Sequence, residues 1–338
     1  LVMVLIIWFG AKGIDKGQMQ VGDMMAFMQY TMQIIMSFLM LCMMSIMLPR
    51  AAVAGNRIAE VLSTKTAIEE PESPKPFDMS KRGTVEFDHV SFRYPGAQEN
   101  VLEDITFTAK PGQTTAIIGS TGSGKSTLVH LIPRLYDISQ GKLLVDGIPV
   151  NQTSLYDLRE RIGFVPQKGV LFTGTIASNI RYGKENASKE EIELAAQIAQ
   201  AQDFIEAKED QYEEPISQGG GNVSGGQKQR LSIARAIAKH PEIYIFDDSF
   251  SALDYKTDAQ LRRRLKQETT DAAVIIVAQR ISTILHAEQI LVLDEGKIVG
   301  KGTHQELMEH CEVYRQIAIS QLSEKELNEQ RRDGVTHE

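Results

Sequence analysis

Cysteine is nearly missing from this chain. Its 338 residues hold two, Cys42 and Cys311, too far apart in sequence to build a disulfide framework, so a reducing compartment fits. Positive charge is also scarce: 36 Lys and Arg against 44 Asp and Glu leave a net charge of −8. That balance argues against a nucleic-acid surface, which needs a basic face. No initiator Met and no basic stretch precedes the apolar run at residues 1–9, so an intact signal peptide is not indicated. No charge at all falls between Met24 and Leu48.

The first fifty residues differ from all that follow. Residues 1–9 are apolar but too short to cross a bilayer, and they read as the cut end of a transmembrane helix. Residues 11–22 read as a short polar turn. The uncharged run 24–48 is long enough to span with some tilt, and Arg50 and Arg57 mark its far end as cytoplasmic. The expected structure is a transmembrane hairpin fragment with its turn outside. Met24, Met28, Met32, Met36 and Met40 recur every four residues, and Met43, Met44 and Met47 continue the series. This stripe suits either an adaptable surface for varied apolar substrates or ordinary helix packing and lipid contact. Gln29, Thr31, Gln33, Ser37 and Ser45 lie at membrane depth and are expected to face a neighbouring helix or a wet cavity. Two spans cannot enclose a pathway, so a larger membrane domain is expected.

Residues 51–63 continue as a helix, and residues 64–76, with three prolines, read as a linker. The expected divisions are a transmembrane fragment at 1–50, a helical extension and linker at 51–83, a soluble domain at 84–322 and a charged tail at 323–338. In the soluble domain, 85–87, 90–94, 105–109, 142–145 and 163–167 read as strands, and 154–161 and 188–205 as helices. The continuous apolar runs 243–246 and 274–278 suit buried parallel strands, and 290–293 with 297–299 suits a hairpin.

Chemistry concentrates in this domain. Gly119, Ser120, Thr121, Gly122, Ser123, Gly124, Lys125, Ser126 and Thr127 follow the pattern G-x-x-x-x-G-K-[ST] between an apolar strand and an apolar helix. Backbone N–H groups freed by such glycines wrap the α- and β-phosphates of a nucleotide, helped by the following helix N-terminus. Lys125 reaches the β- and γ-phosphates, and Ser126 offers a hydroxyl to Mg²⁺. The apolar strand 243–247 ends in Asp247, a second Mg²⁺ oxygen ligand facing Ser126. Between these elements Ser224, Gly225, Gly226 and Gln227 open an Ala- and Ile-rich helix. Ser224 is placed to cap it, and the glycines leave its N-terminus bare for a second anion contact.

In this combination the chain resembles the ATP-binding cassette (ABC) proteins, over essentially its whole length, with Ser224 to Gln227 as the signature sequence. The resemblance implies an α/β P-loop NTPase cassette, preceded by the last transmembrane helix pair of an exporter-type transporter. It implies that Tyr94 stacks on adenine and that Gln167 senses Mg²⁺ and relays to the membrane domain. It also implies that residues 251–254, ending in Asp254, form the D-loop that crosses to an opposite subunit. Two cassettes are expected to close head to tail on two ATP molecules, each nucleotide lying between one phosphate loop and the other subunit's signature helix. Closure and release would rock membrane helices between inward and outward access. The expected setting is a cytoplasmic membrane, crossed several times, with the cassette in the cytoplasm. Multidrug, lipid and peptide export are all compatible with these residues.

Two positions depart from the family pattern. Asp248 stands where a glutamate polarises the attacking water, and Gln279 stands where a switch histidine ends the strand. Asp is shorter by roughly 1.5 Å, while a base must come within about 3 Å of its proton or use a bridging water. Gln279 can donate a hydrogen bond to a γ-phosphate but cannot share a proton with a carboxylate. His286, on the following helix, cannot stand in for it. Gln218, where the family often has Glu, points the same way, and Val223 replaces the usual Leu before an otherwise intact signature. The expectation is a site that holds ATP tightly and hydrolyses it slowly, paired with a non-identical half-subunit that carries the base and the histidine. An alternative is a regulatory nucleotide-binding subunit with no hydrolysis of its own. A soluble repair or translation-factor ATPase is the third reading, and the membrane span opposes it.

Overall fold

The structure, a computed structural model, describes residues 1–321. The expected charged tail at 323–338, and residue 322 of the expected soluble domain, lie outside the described residues. The chain divides between Ala67 and Ile68 into two compact units.

The first unit is a pair of helices, Val2–Asp15 and Val21–Ser63. The first takes in residues 11–15, which the sequence suggested were turn, so the connection shrinks to 16–20. Lys12 is accommodated because it lies on the helix surface with its ammonium 4.8 Å from the Trp8 ring, one turn back. The second helix opens on a reciprocal cap in which Gln20 N donates to Asp23 Oδ2 at 3.0 Å. A Cβ on Gly10 would fall 2.8 Å from the Met24 side chain, so the absence of a side chain there lets the two helices approach.

The second helix, 43 residues long, is the one long and apolar enough to cross a membrane among the described residues. At 1.5 Å per residue it runs roughly 65 Å, about twice the hydrocarbon thickness of a bilayer. None of its residues is buried, the methionine stripe included. The hydroxyls among its polar side chains also find partners inside their own helix. Thr31, Ser37 and Ser45 each donate to the carbonyl four residues back, at 2.7, 2.9 and 2.9 Å, which satisfies them inside their own helix. Pro49 sits within the helix and withholds the N–H that would have met Ser45 O, a local interruption of the ladder.

The second unit begins before the expected boundary at 84. Lys75 N donates to Gln152 O at 2.8 Å and Asp78 N to Asp146 O at 3.2 Å, so much of the proline-rich stretch lies against the folded domain. A four-stranded antiparallel sheet holds Leu102–Ala109, Val85–Phe92, Gln140–Val145 and Ile148–Pro149, in that order. The strands expected at 85–87 and 90–94 are one strand, bulged where His89 takes a φ of 52°. A six-stranded sheet follows the order Lys297–Gly302, Gln289–Asp294, Thr114–Gly119, Ala273–Val277, Ile243–Asp247, Ile162–Val165. All its pairings are parallel except the first, the expected hairpin. The helix expected over 188–205 breaks into Lys189–Ile198 and Gln202–Glu206, because Gln200 takes a φ of 56°.

Strand alternation divides the apolar residues between two cores. Ala116, Ile118, Tyr244, Phe246, Val274 and Ile276 pack on one face of the parallel sheet. Ile117, Ile243, Ile245, Ile275 and Val277 pack on the other. In register, Val277 pairs with Ile117 on one side and with Asp247 on the other. The strand ends leading to Gly119, Asp247, Gln279 and Gln167 therefore leave the sheet along one edge, where open α/β sheets place their ligands.

Candidate nucleotide site

The phosphate loop leaves its strand at Gly119, where a Cβ would lie 2.0 Å from Leu293 O and 2.9 Å from Ser123 Oγ. Gly122 and Gly124 take φ of 86° and 97°, a region open to glycine and costly for other residues. Gly124 then caps the helix Lys125–Leu131. Lys125 Nζ donates to Gly119 O at 2.9 Å, to Ser120 O at 2.6 Å and to Ser123 Oγ at 3.5 Å, so the ammonium is held over the loop. Burial lowers its pKa, and the Asp248 and Asp247 carboxylates oppose that shift. Thr121 belongs to the same loop, and Ser123 N closes it by donating to Ser120 O at 3.3 Å.

Ser126 Oγ donates to Asp247 Oδ1 at 2.9 Å, which joins the helix to the end of the neighbouring-but-one strand. Asp247 is 3% exposed. Two hard oxygens at this spacing, beside a loop whose glycines leave no side chains in the way, fit Mg²⁺ with a nucleotide phosphate chain. A third group reaches the pair: His130 Nε2 lies 3.5 Å from Asp247 Oδ2. His130 comes from the phosphate-loop helix, one turn after Ser126 and on the same face, and so meets Asp247 rather than replacing Gln279.

Tyr94 carries its hydroxyl 2.9 Å from Thr127 Oγ1. Its ring meets Phe92 and Tyr136 edge-on, with centroids 4.8 and 5.1 Å away. Tyr136, which the sequence did not single out, is thus part of the same aromatic wall beside the loop.

Asp248 follows Asp247 with φ of 48°, a left-handed turn that Asp tolerates better than most residues. Its N–H still donates to Val277 O at 3.1 Å. Its Oδ2 accepts from Gln167 Nε2 at 3.0 Å and from Gln279 Nε2 at 2.6 Å. Burial pushes the Asp248 carboxyl up, against the pull of hydrogen bonds from Gln167 and Ser251. Gln279 is itself gripped from behind: Gln321 Nε2 donates to Gln279 O and Ile281 N donates to Gln321 Oε1, both at 2.8 Å.

The signature residues stand apart from this cluster. Ser224 Oγ accepts from Gln227 N at 3.3 Å, and Gln227 Oε1 accepts from Ser224 N at 3.0 Å, a reciprocal cap on the helix Gly225–Ala238. A Cβ on Gly225 would meet nothing within 4 Å, so the helix N-terminus is bare. Asp254 caps the helix Tyr255–Glu268 through Thr257 N at 3.0 Å. Gln218 is exposed in a short turn before the signature. Further along the signature helix, Gln229 is 2% exposed and was missed. Its signal was readable: it shares the helical face of Ile233 and Ile237, and a polar side chain on an apolar stripe needs partners.

Residues 102–251 match the family model described as "ABC transporter". An uncharacterised ABC transporter ATP-binding protein of Mycobacterium tuberculosis is 50% identical over 321 residues, covering 94% of this chain and 55% of that protein. A probable multidrug resistance ABC transporter ATP-binding/permease protein of Bacillus subtilis is 36% identical over 308 residues, covering 91% of this chain and 52% of the relative. The ATP-dependent lipid A-core flippase of Chromobacterium violaceum is 36% identical over 322 residues, covering 95% and 55%. Among solved structures, a bacterial Atm1-family ABC exporter with ATP bound superposes with a TM-score of 0.81 at 32% identity, over 95% of this chain and 56% of that one. The chain spans about half the length of the curated relatives it matches.

Proposed function

Because the chain belongs to the ABC transporter family, in its exporter-type arrangement of apolar helices followed by a cassette, we propose that it is the ATP-binding half-subunit of an exporter with a slow ATP site of its own. The observation that carries this is Asp248 Oδ2 receiving two amide donors, Gln167 and Gln279, at 3.0 and 2.6 Å. Neither amide accepts a proton, and the carboxylate is one methylene short of a glutamate. A positioned general base contributes about 10²- to 10⁴-fold in rate, which this arrangement forgoes.

Binding uses other residues. The phosphate loop from Gly119 to Thr127 cradles phosphates with its backbone, Lys125 adds a cation, and Tyr94 offers a ring to adenine. Ser126 and Asp247 would hold Mg²⁺, which when bound supplies charge neutralisation at the β- and γ-phosphates. Ser224 to Gln227 complete the ATP site of a second, non-identical half-subunit, and Asp254 belongs to the loop that approaches it. The assembly sits in a cytoplasmic membrane, crossing it several times, with Arg50 and Arg57 at the cytoplasmic end of the long helix. For the cargo, the methionine stripe favours an apolar or amphiphilic compound. The multidrug and lipid A-core roles named for two relatives support that class.

ATPase activity of the transporter purified with its partner, wild type against Asp248→Ala, tests the proposal. Activity within a few-fold of wild type is expected, with hydrolysis at the other site. A fall to background would make Asp248 a working base and overturn the slow-site assignment.

A further inference from the structure

The amide that Gln167 brings to Asp248 comes from an exposed residue, and an exposed side chain gains little from one hydrogen bond in competition with water. Something must hold its loop. Residues 166–169 leave the strand Ile162–Val165 and run against the signature helix so closely that a Cβ on Gly169 would lie 2.8 Å from both Lys228 O and Ser232 Oγ. Gln229 fastens the loop at both ends. Its Nε2 donates to Pro166 O at 3.0 Å, and its Oε1 accepts from Gly169 N at 2.9 Å. The two bonds bracket Gln167, and the side chain that makes them is 2% exposed. Both polar ends of a buried amide are therefore satisfied by one loop, which fixes the loop's position relative to the helix rather than only its distance.

We propose that Gln229 is a positioning residue that sets Gln167 on Asp248 and joins the signature helix and the Gln167 loop into one body. This rests on the assignment of Ser224 to Gln227 as the part that meets the partner's nucleotide. On that basis, a displacement of the signature helix at one ATP site is delivered to the acidic cluster of the other through a single amide. Ser224 and Gln227 occupy the first turn of the helix, and Gln229 follows within the next.

The test uses the assembled transporter with Gln229→Met, which keeps the length and loses both bonds, and Gln229→Glu, which keeps the acceptor for Gly169 N. Each is made alone and together with Gln167→Ala. Hydrogen exchange of the 166–170 backbone is expected to rise about ten-fold in Gln229→Met, less in Gln229→Glu, and not at all in Gln167→Ala. Residual turnover at this chain's own site, measured with the other ATP site disabled, is expected to fall roughly five-fold in Gln229→Met and in Gln167→Ala, the loss of one net hydrogen bond, with the double variant no lower than either. Unchanged exchange at Gly169 in Gln229→Met would overturn the proposal. So would losses that multiply in the double variant, the mark of independent structural effects. The exchange readout does not depend on which site hydrolyses ATP, so its failure is distinct from that of the Asp248→Ala test.

Discussion

Gln279 Nε2 lies 2.6 Å from Asp248 Oδ2, so the carboxylate next to Asp247 is met by a group that donates a hydrogen bond and cannot take up a proton. Restoring both family residues should therefore restore chemistry. Asp248→Glu with Gln279→His is expected to raise hydrolysis at this site by about 10²-fold or more. The measurement is ATP turnover in an assembly whose other ATP site has been disabled. No increase over the unmodified chain would count against the proposal that these two positions make the site slow.

Gly119 and Gly122 separate stability from binding. At Gly119 a methyl would meet Leu293 O at 2.0 Å, and backbone cannot yield, so Gly119→Ala is expected to cost on the order of 3 kcal/mol. The melting temperature should fall by roughly 6 to 12 °C. At Gly122 nothing lies within 4 Å, and the left-handed φ of 86° makes an alanine cost only about 1 to 2 kcal/mol. Its methyl stands in the open space of the loop. Gly122→Ala is expected to weaken ATP binding about ten-fold or more with a smaller loss of melting temperature than Gly119→Ala, as paired thermal and ATP titrations would show.

Asp146 predicts a pH dependence. It is fully buried, with Oδ1 accepting from Gly83 N at 2.7 Å and Thr84 N at 3.2 Å, and Oδ2 accepting from Arg161 at 2.8 Å. Burial pushes its pKa up to about 6, with Arg161 opposing and Glu242 adding to the rise. The folded state thus holds this proton more firmly than the unfolded chain, whose carboxyl titrates near 3.9. The stabilisation is complete below about pH 4 and lost as pH rises through about 6. Asp146→Asn should flatten the stability profile across that window by roughly 2 to 3 kcal/mol. Denaturant unfolding at several pH values checks this, and an unchanged slope in the variant would contradict it.

His130 Nε2 lies 3.5 Å from the second oxygen of Asp247, while Ser126 donates a hydrogen bond to the first. Partners of this kind orient a metal-binding carboxylate, and their loss weakens metal affinity by about ten-fold at the lower end of the usual range. His130→Ala is expected to raise the Mg²⁺ concentration needed for half-maximal ATP binding by that factor. ATP binding in a chelator should be unaffected, which distinguishes orientation of Asp247 from damage to the phosphate loop.

Much of the architecture was legible because it is written locally. The apolar runs ending at Ile118, Phe246 and Val277 have the unbroken hydrophobicity of strands buried on both faces, and the glycines of the phosphate loop mark the turn between strand and helix. Contacts made across the fold were harder to read. Nothing near Gln321 in sequence points to the backbone of Gln279 and Ile281, whereas helical spacing from Ser126 could have placed His130 beside Asp247. The break at Gln200 was hidden by an amphipathic pattern that runs through it, and the helical state of residues 11–15 by polar residues that a surface helix accepts. The back-bonds of Thr31, Ser37 and Ser45 leave no trace in sequence, because an i−4 carbonyl is within reach of any helical hydroxyl.

The register of Val277 between Ile117 and Asp247 makes the sheet a ruler. The phosphate-loop strand and the Asp247 strand are held two inter-strand steps apart, about 10 Å, whatever the polar side chains do. The dimensions of the site are thus specified by aliphatic residues such as Ile245, Ile275 and Ile117, none of which touches a phosphate or a metal. Substitutions among them that alter sheet spacing would be recorded in a screen as losses of nucleotide chemistry, although every polar residue of the site remained in place.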